Sequence, residues 1–203
     1  VALVRRMPSR SRPVLLVVAA VTWIAVVAVG FLLLQRYNAT PGPSAVIASA
    51  WPEGVLDRDR TRPTVLLVMH PECPCSRASL GEFARVLARR RGRVAAQVLI
   101  AIPPGMPDAA AGDLVRQAQA IPGVLVTFDA DARRTAAFGP LVSGHTLLYG
   151  RNGALLFEGG ITASRGHAGD NVNEDALIAA IDGEPRTAHR APVFGCLLSS
   201  TPS

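Results

Sequence analysis

Apolar and polar residues follow two different patterns along the chain, and the first is one uninterrupted apolar run. Residues 14–34 read "VLLVVAAVTWIAVVAVGFLLL" and carry no charge. As a helix, such a run spans roughly 30 Å, the thickness of the hydrocarbon core of a bilayer. A cleavable signal peptide is the alternative, but it has a shorter apolar region and a small-residue cleavage site, which the following "QRYNATPG" does not offer. The pattern therefore predicts one transmembrane anchor.

Short strand and helix patterns alternate after this run. Three continuous apolar stretches are typical of strands buried inside a sheet: residues 64–69, 94–102 and 123–128. Between them, apolar residues recur three and four positions apart, most clearly over 76–90, as on one face of a helix. The pattern thus alternates strand, helix, strand, helix and strand.

A hairpin and a final helix follow the third strand. The "RNG" at 151–153 is an Asn-Gly turn signal between "HTLLYG" and "ALLFEGGI". The last helical pattern has Asn173 as its expected N-cap and Gly183 just past its end. We therefore predict an α/β fold with a mixed sheet and helices on both faces.

Charge sets the orientation of the predicted anchor. Four arginines precede the apolar run (Arg5, Arg6, Arg10 and Arg12), leaving about +2 of the net charge of +6 for the remainder. This asymmetry keeps the N-terminus in the cytoplasm, so a single-pass protein of the inner membrane would expose everything from about Gln35 to a periplasm or equivalent space. The chain has no lysine and no basic stripe interleaved with aromatics, which excludes nucleic-acid binding.

These patterns divide the chain into five segments. We expect a basic cytoplasmic N-terminus at 1–13, the anchor at 14–34, a tether rich in Pro, Ala and Ser at 35–52, a folded domain at 53–183 and a tail at 184–203.

The three cysteines carry the candidate chemistry, because thiols in an oxidising compartment tend to form disulfides or bind metals. Cys73 precedes a predicted helix, whose dipole and unpaired N–H groups favour the thiolate and lower a thiol pKa from ~8.5. We therefore predict Cys73 as a nucleophile. Ser76 is expected to cap the helix. His70 and Glu72 flank the cysteines, and we expect an ordinary structural role for both.

Two cysteines compete as the partner of Cys73. Cys75 is adjacent, but a bridge to it would close a small ring stiffened by Pro74. Cys196 gives a roomier bridge if the tail "APVFGCLL" folds back, although it is equally interpretable as a buried structural cysteine.

The motif "CPCSRASLGEF" resembles the start of the first helix in membrane-anchored thioredoxin-like proteins of the TlpA and ResA type. The run "DADARRTAAFGPLVSGHTLLYGRNGALLFEGG" is similar to that family's third strand, short helix and hairpin, so the resemblance covers roughly 64–160. Through "HPECPCSRASL", "GGITASRGHAGDN" and "VFGC" the chain also resembles the RedB group. The resemblance implies a thioredoxin-like fold and a thiol–disulfide oxidoreductase, without cofactor, acting on a partner protein through Cys73. Ser76 departs from the family's second cysteine, and His145 replaces its cis-proline.

His145 supports a different function. "VSGHTLLYGRNG" resembles a segment of the Sco-type copper proteins, whose two cysteines and one histidine hold copper. This resemblance implies a copper-binding protein or metallochaperone with a metalloprotein client, in which Cys73, Cys75 and His145 would bind the metal, and soft thiolates with imidazole suit Cu(I). A peroxidase is a weaker interpretation, since Pro71 stands where the peroxiredoxin threonine belongs.

The polar segment 159–171, "GGITASRGHAGDN", contains Arg165, His167 and Asp170. It lacks the Gly-Lys-Ser/Thr ending of a phosphate-binding loop. A long polar loop often carries functional groups, so we treat it as a segment able to pack over the cysteines.

Overall fold

The chain divides into two units, one ending at Ala39 and one beginning at Thr40. The computed structural model describes residues 11–103, 105–106, 110–183 and 189–198, so the arginines before Ser11 lie outside the described residues. The first unit is helix α1, Ser11–Ala39. Its part from Pro13 onward contains an 18-residue window with a mean hydropathy of 2.8 and is long and apolar enough to cross a membrane, a criterion that a signal sequence also meets. The predicted apolar helix is confirmed, and it extends five residues beyond the predicted end at Leu34.

A six-stranded sheet forms the second unit. Its strands are β1 (Thr64–Met69), β2 (Ala95–Ala101), β3 (Val124–Asp129), β4 (His145–Tyr149), β5 (Leu155–Gly159) and β6 (His189–Arg190). They lie in the order β3-β2-β1-β4-β5-β6. The first three strands are parallel, whereas β4 runs antiparallel to β1 and forms the predicted hairpin with β5. The predicted mixed sheet is confirmed.

Helices cover the two faces of the sheet unequally. They are α2 (Pro74–Arg89), α3 (Asp113–Gln119), α4 (Arg133–Phe138) and α5 (Val172–Asp182). One face packs against α2, α3 and α5, which contribute Phe83, Leu114 and Leu177 to its core. The other face receives Phe138 from α4, with Trp51 and Tyr149 around it. This is the thioredoxin-like arrangement that the resemblance implies.

The segments before and after the predicted domain belong to the fold, which corrects the predicted boundaries. Within the supposed tether, Ile47 and Trp51 are buried, and the Trp51 ring lies 4.9 Å from that of Phe138. In the supposed tail, β6 pairs with β5 and residue Leu197 forms a bridge with Val142. The physical reason is that α4 has only six residues, so these segments supply the apolar side chains that cover its face of the sheet.

The start of α5 also differs from the prediction. Asn171, not Asn173, is the N-cap, because its side chain accepts hydrogen bonds from the backbone N–H groups of Asn173 and Glu174. The predicted stop is confirmed: Gly183 follows the helix with φ of 81°, a left-handed conformation that favours glycine.

Candidate active site

The three cysteines meet at the amino-terminal end of α2. Cys73, predicted to lie at the start of this helix, is its N-cap residue, and only 2% of its surface is exposed. Cys75 follows in the first helical turn and is half-buried. Cys196 comes from the C-terminal segment, and its Sγ lies 2.7 Å from the Sγ of Cys73. All three are free thiols, and the pair at close range is Cys73 with Cys196.

Backbone contacts hold the segment that carries Cys196. Ser143 N–H donates to the carbonyl oxygen of Cys196 at 2.8 Å, and Leu198 N–H donates to that of Leu141 at 2.9 Å. Gly195 packs so closely that a Cβ there would lie 2.0 Å from the Ser143 carbonyl oxygen. Only glycine therefore fits at position 195, next to Cys196. The tail folds back toward Cys73, as a pairing of Cys73 with Cys196 requires.

Ser76 contacts the reactive cysteine instead of capping the helix, so its predicted role was wrong. The N-cap of α2 has no side-chain hydrogen bond, and Pro74 begins the helix without needing an N–H partner. The Oγ of Ser76 lies 2.5 Å from that of Ser143. Ser76 also hydrogen-bonds Cys73 through both its side chain and its backbone.

Hydrogen bonds favour the thiolate form of Cys73. Burial acts to raise its pKa, but the hydrogen bonds from Cys196 and Ser76 together outweigh burial, and the pKa is lowered. The predicted preference of Cys73 for the thiolate is thus supported by named partners as well as by its place at the helix start.

The other two thiols hold their protons. Burial, followed by the hydrogen bond to Cys73 and the charges of Cys73 and Cys75, raises the pKa of Cys196 to about 12. Burial and the neighbouring Cys73 also raise the pKa of Cys75. In both cases the positive charge of Arg165 acts in the opposite direction. The cluster therefore combines one thiol that loses its proton more readily than an ordinary cysteine with two that hold their protons more tightly.

The loop between β1 and α2 is fixed by polar contacts that involve His70. Its backbone N–H donates to Ser143 Oγ at 2.7 Å, and its Nδ1 accepts from Glu72 N–H at 3.1 Å. Burial lowers the pKa of His70, with Glu72 opposing. These contacts support the structural role expected for His70 and Glu72. They also identify Ser143 as a site residue that the sequence did not indicate. Ser143 is distant in sequence from this loop and from α2, and the fold brings it into contact with both.

His145 does not join the cysteines. Side chains alternate along β4, so His145 shares a face with Leu147, which packs in the core around Trp51, whereas α2 packs on the opposite face. His145 lines a cavity of about 190 Å³ together with Glu158 and residues 41–45. Among the described residues, no three His, Cys, Asp or Glu side chains are arranged to hold a metal ion. The copper ligand set Cys73, Cys75 and His145 therefore does not fit this geometry, and copper binding itself stays a prediction.

Comparison with known proteins finds chains of similar fold. No protein-family model matches the sequence, and no curated protein matches it. A hypothetical protein from Sinorhizobium meliloti is similar in structure, with a TM-score of 0.62 and 18% identity over 81% of this chain and 100% of that one. An uncharacterized conserved protein from Geobacillus kaustophilus gives a TM-score of 0.59 and 17% identity over 81% and 94% of the two chains. A secreted disulfide oxidoreductase of Mycobacterium tuberculosis, homologous to DsbE of E. coli, is also similar, with a TM-score of 0.43 and 18% identity over 60% and 81%. The chain has a thioredoxin-like fold, and at these identities the comparisons concern the fold alone.

Proposed function

We propose that the protein is a thiol–disulfide oxidoreductase in which Cys73 is the attacking cysteine and Cys196 the resolving one. The observation that carries the proposal is the pair of free thiols 2.7 Å apart, one at a helix start with a lowered pKa and one with a raised pKa. This asymmetry gives the two roles to different sulfur atoms.

The reaction needs a partner protein that carries a disulfide. The Cys73 thiolate attacks one partner sulfur, the partner disulfide breaks, and its second sulfur leaves as a thiolate, which gives a mixed disulfide. Cys196, after losing its proton, attacks the Sγ of Cys73 and releases the first partner sulfur. The partner gains two electrons, which the chain loses as the Cys73–Cys196 disulfide forms; the reverse sequence oxidises a partner dithiol.

Placement of the domain outside the cytoplasm, tethered by α1 to an inner membrane, belongs to the same proposal. Its support is the apolar helix from Pro13 to Ala39 and the arginines before it in the sequence. In that position the thiols would meet proteins whose cysteines undergo oxidation.

Trapping of the mixed disulfide tests the proposal. The reduced full chain, in detergent micelles, is mixed with insulin as a disulfide probe. Cys196→Ser should accumulate a covalent adduct through Cys73, visible on a non-reducing gel, because the resolving attack is missing. Cys75→Ser is the matched control and should turn over without accumulating it. If the unsubstituted chain reduces insulin no faster than free glutathione does, the proposed function is wrong.

A further inference from the structure

Arg165 connects the polar loop of residues 160–171 to the segment that carries Cys196. Its Nη1 donates to the Gly195 carbonyl oxygen at 2.5 Å, one residue before the resolving cysteine. Its side chain also hydrogen-bonds Cys75. The half-buried Arg165 thus lies beside Cys75 and beside the segment that carries Cys196. It comes from the polar loop that we treated as able to pack over the cysteines.

The loop itself is fixed, which keeps Arg165 in place. Gly169 N–H donates at 2.7 Å to Oε1 of Glu82, a fully buried residue on α2. Asn171 Nδ2 donates to the carbonyl oxygens of Ile161, at 3.1 Å, and Gly169, at 3.0 Å, closing the loop on itself. The loop that carries Arg165 is therefore held by a contact to α2, the helix that follows Cys73.

We propose that Arg165 activates Cys196 for the resolving attack, as a positioning residue that acts on this cysteine through its charge and through Gly195. The inference rests on the proposed function. In the resting site, burial and the Cys73 thiolate keep the proton on Cys196, and the opposing charge is that of Arg165, which favours its loss. Cys75, the third neighbour, acts in the same direction as Cys73 when it is ionised, but its own raised pKa keeps it protonated at pH 7.

Formation of the mixed disulfide removes only one of these opposing charges. Once the Sγ of Cys73 is bonded to a partner sulfur it carries no charge, so its hold on the Cys196 proton ends, whereas Arg165 remains. The Cys196 proton then passes to solvent, its thiolate attacks Cys73 Sγ, and the partner sulfur leaves with the electron pair. Arg165 thereby makes Cys196 nucleophilic after Cys73 has reacted and not before.

Stopped-flow reaction with 5,5′-dithiobis(2-nitrobenzoate) separates the two steps. The reduced full chain carries Cys75→Ser in every sample, so that only Cys73 and Cys196 react. Attack by Cys73 releases the first thionitrobenzoate, and attack by Cys196 releases the second and leaves a disulfide, which mass spectrometry identifies. We expect Arg165→Gln to slow the second release about tenfold at pH 7 and to raise its pH midpoint by about one unit, with the first release nearly unchanged.

Arg165→Lys is the matched variant, because it keeps the charge while altering the contact with Gly195. We expect it to restore most of the second rate and the original pH midpoint. Two results would overturn the inference and leave the proposed function standing. One is an unchanged pH midpoint of the second release in Arg165→Gln. The other is a second release that is slowed equally at every pH and by the same factor in Arg165→Gln and Arg165→Lys. Absence of a second release in the chain with Arg165 intact would instead overturn the pairing of Cys73 with Cys196, and the inference with it.

Discussion

The two faces of the sheet each bury titratable groups near β4, but they treat them differently. On the face of α2, Cys73 is buried among hydrogen-bond partners that come from Cys196 and Ser76. On the opposite face, His145 and Glu158 are each 6% exposed, and the His145 Nε2 and Glu158 Oε2 atoms have no hydrogen-bond partner among the described residues. Cys73 and His145 are thus similarly buried. The Cys73 thiol has hydrogen-bond partners that lower its pKa, whereas the His145 Nε2 has no described polar contact.

Hydrogen-bond partners, more than burial, decide which of these groups is available for chemistry. Burial alone lowers the pKa of His145 to about 4, so the ring stays neutral at ordinary pH. Burial acts against the Cys73 thiolate too, yet hydrogen bonds reverse its effect. The proposed reaction therefore belongs to the face that carries the thiols. Substitutions on the two faces should differ in their effects on disulfide exchange and on stability.

The largest difference is expected in disulfide exchange. Cys73→Ala should reduce the rate of insulin reduction by roughly a thousandfold or more, as loss of a nucleophile does in other enzymes. His145→Gln should leave the rate within about twofold, because the ring lies across the sheet from the thiols. Turbidity of the reduced insulin chains measures both. A comparable loss in His145→Gln would contradict the assignment of the two faces.

His145 should affect stability at acid pH instead. The unfolded chain takes up this proton near the ordinary value of 6.5 and the folded chain only near 4. Above pH 6.5, His145 is neutral in both states and does not lower the free energy of unfolding. As the pH falls toward 4, the unfolded chain is protonated at His145 before the folded chain is, and the free energy of unfolding falls by about 3 kcal/mol. Thermal unfolding of the full chain and of His145→Gln at pH 8 and pH 4.5 measures this, since other groups cancel in the comparison. Equal pH dependence in the two proteins would refute it.

A smaller effect is expected from the hydroxyl beside Cys73. Ser76→Ala removes a hydrogen bond to the thiolate and should raise the Cys73 pKa by about one unit, slowing alkylation at pH 7 by up to about tenfold. The pH profile of iodoacetamide modification, followed at Cys73 by mass spectrometry, measures the shift. Ser79→Ala is the control, because Ser79 is equally buried in α2, at 2% against 1% exposure. Identical profiles for both variants would show that Ser76 does not stabilise the thiolate.

The smallest expected effect concerns copper. Anaerobic Cu(I) titration of the reduced chain against a competing chelator tests the Sco-like alternative directly. The Cu(I) affinity of His145→Ala should lie within about twofold of that of the unsubstituted chain, whatever affinity the thiols provide. The reason is that the imidazole lines the cavity on the opposite face of the sheet. Weakening by tenfold or more would mean that the histidine reaches the cysteines, and the Sco-like ligand set would then be restored.

Local patterns were sufficient for the helices, for strands β1 to β5 and for the position of Cys73, but not for β6, which lay in the predicted tail. Strand β1 was predicted with its observed bounds because a buried central strand is a continuous apolar run. Cys73 was placed at a helix start because a helical periodicity follows it and because its motif resembles the start of the first helix in thioredoxin-like proteins. Cys196 could not be chosen over Cys75, since a contact between residues 123 positions apart leaves no local signal.

His145 shows where resemblance and pattern disagreed. Similarity of "VSGHT" to a copper protein suggested a position beside the thiols. Alternation along β4, with Leu147 and Tyr149 on the same face as His145, indicates the opposite face, and the structure agrees with the alternation. Ser143 was missed because its partners, His70 and Ser76, lie in elements that only the fold brings to it.

The pairing of residues 123 positions apart also links the redox state to the heat resistance of the domain. A covalent bond there closes residues 73–196 into one ring, which restricts the unfolded chain and, by loop-closure entropy, stabilises the fold by about 4–5 kcal/mol. Because the thermodynamic cycle is closed, the fold stabilises the bond by the same amount. The oxidised form should then melt at a higher temperature than the reduced form, and each donation of electrons to a partner would leave the domain more resistant to unfolding than before.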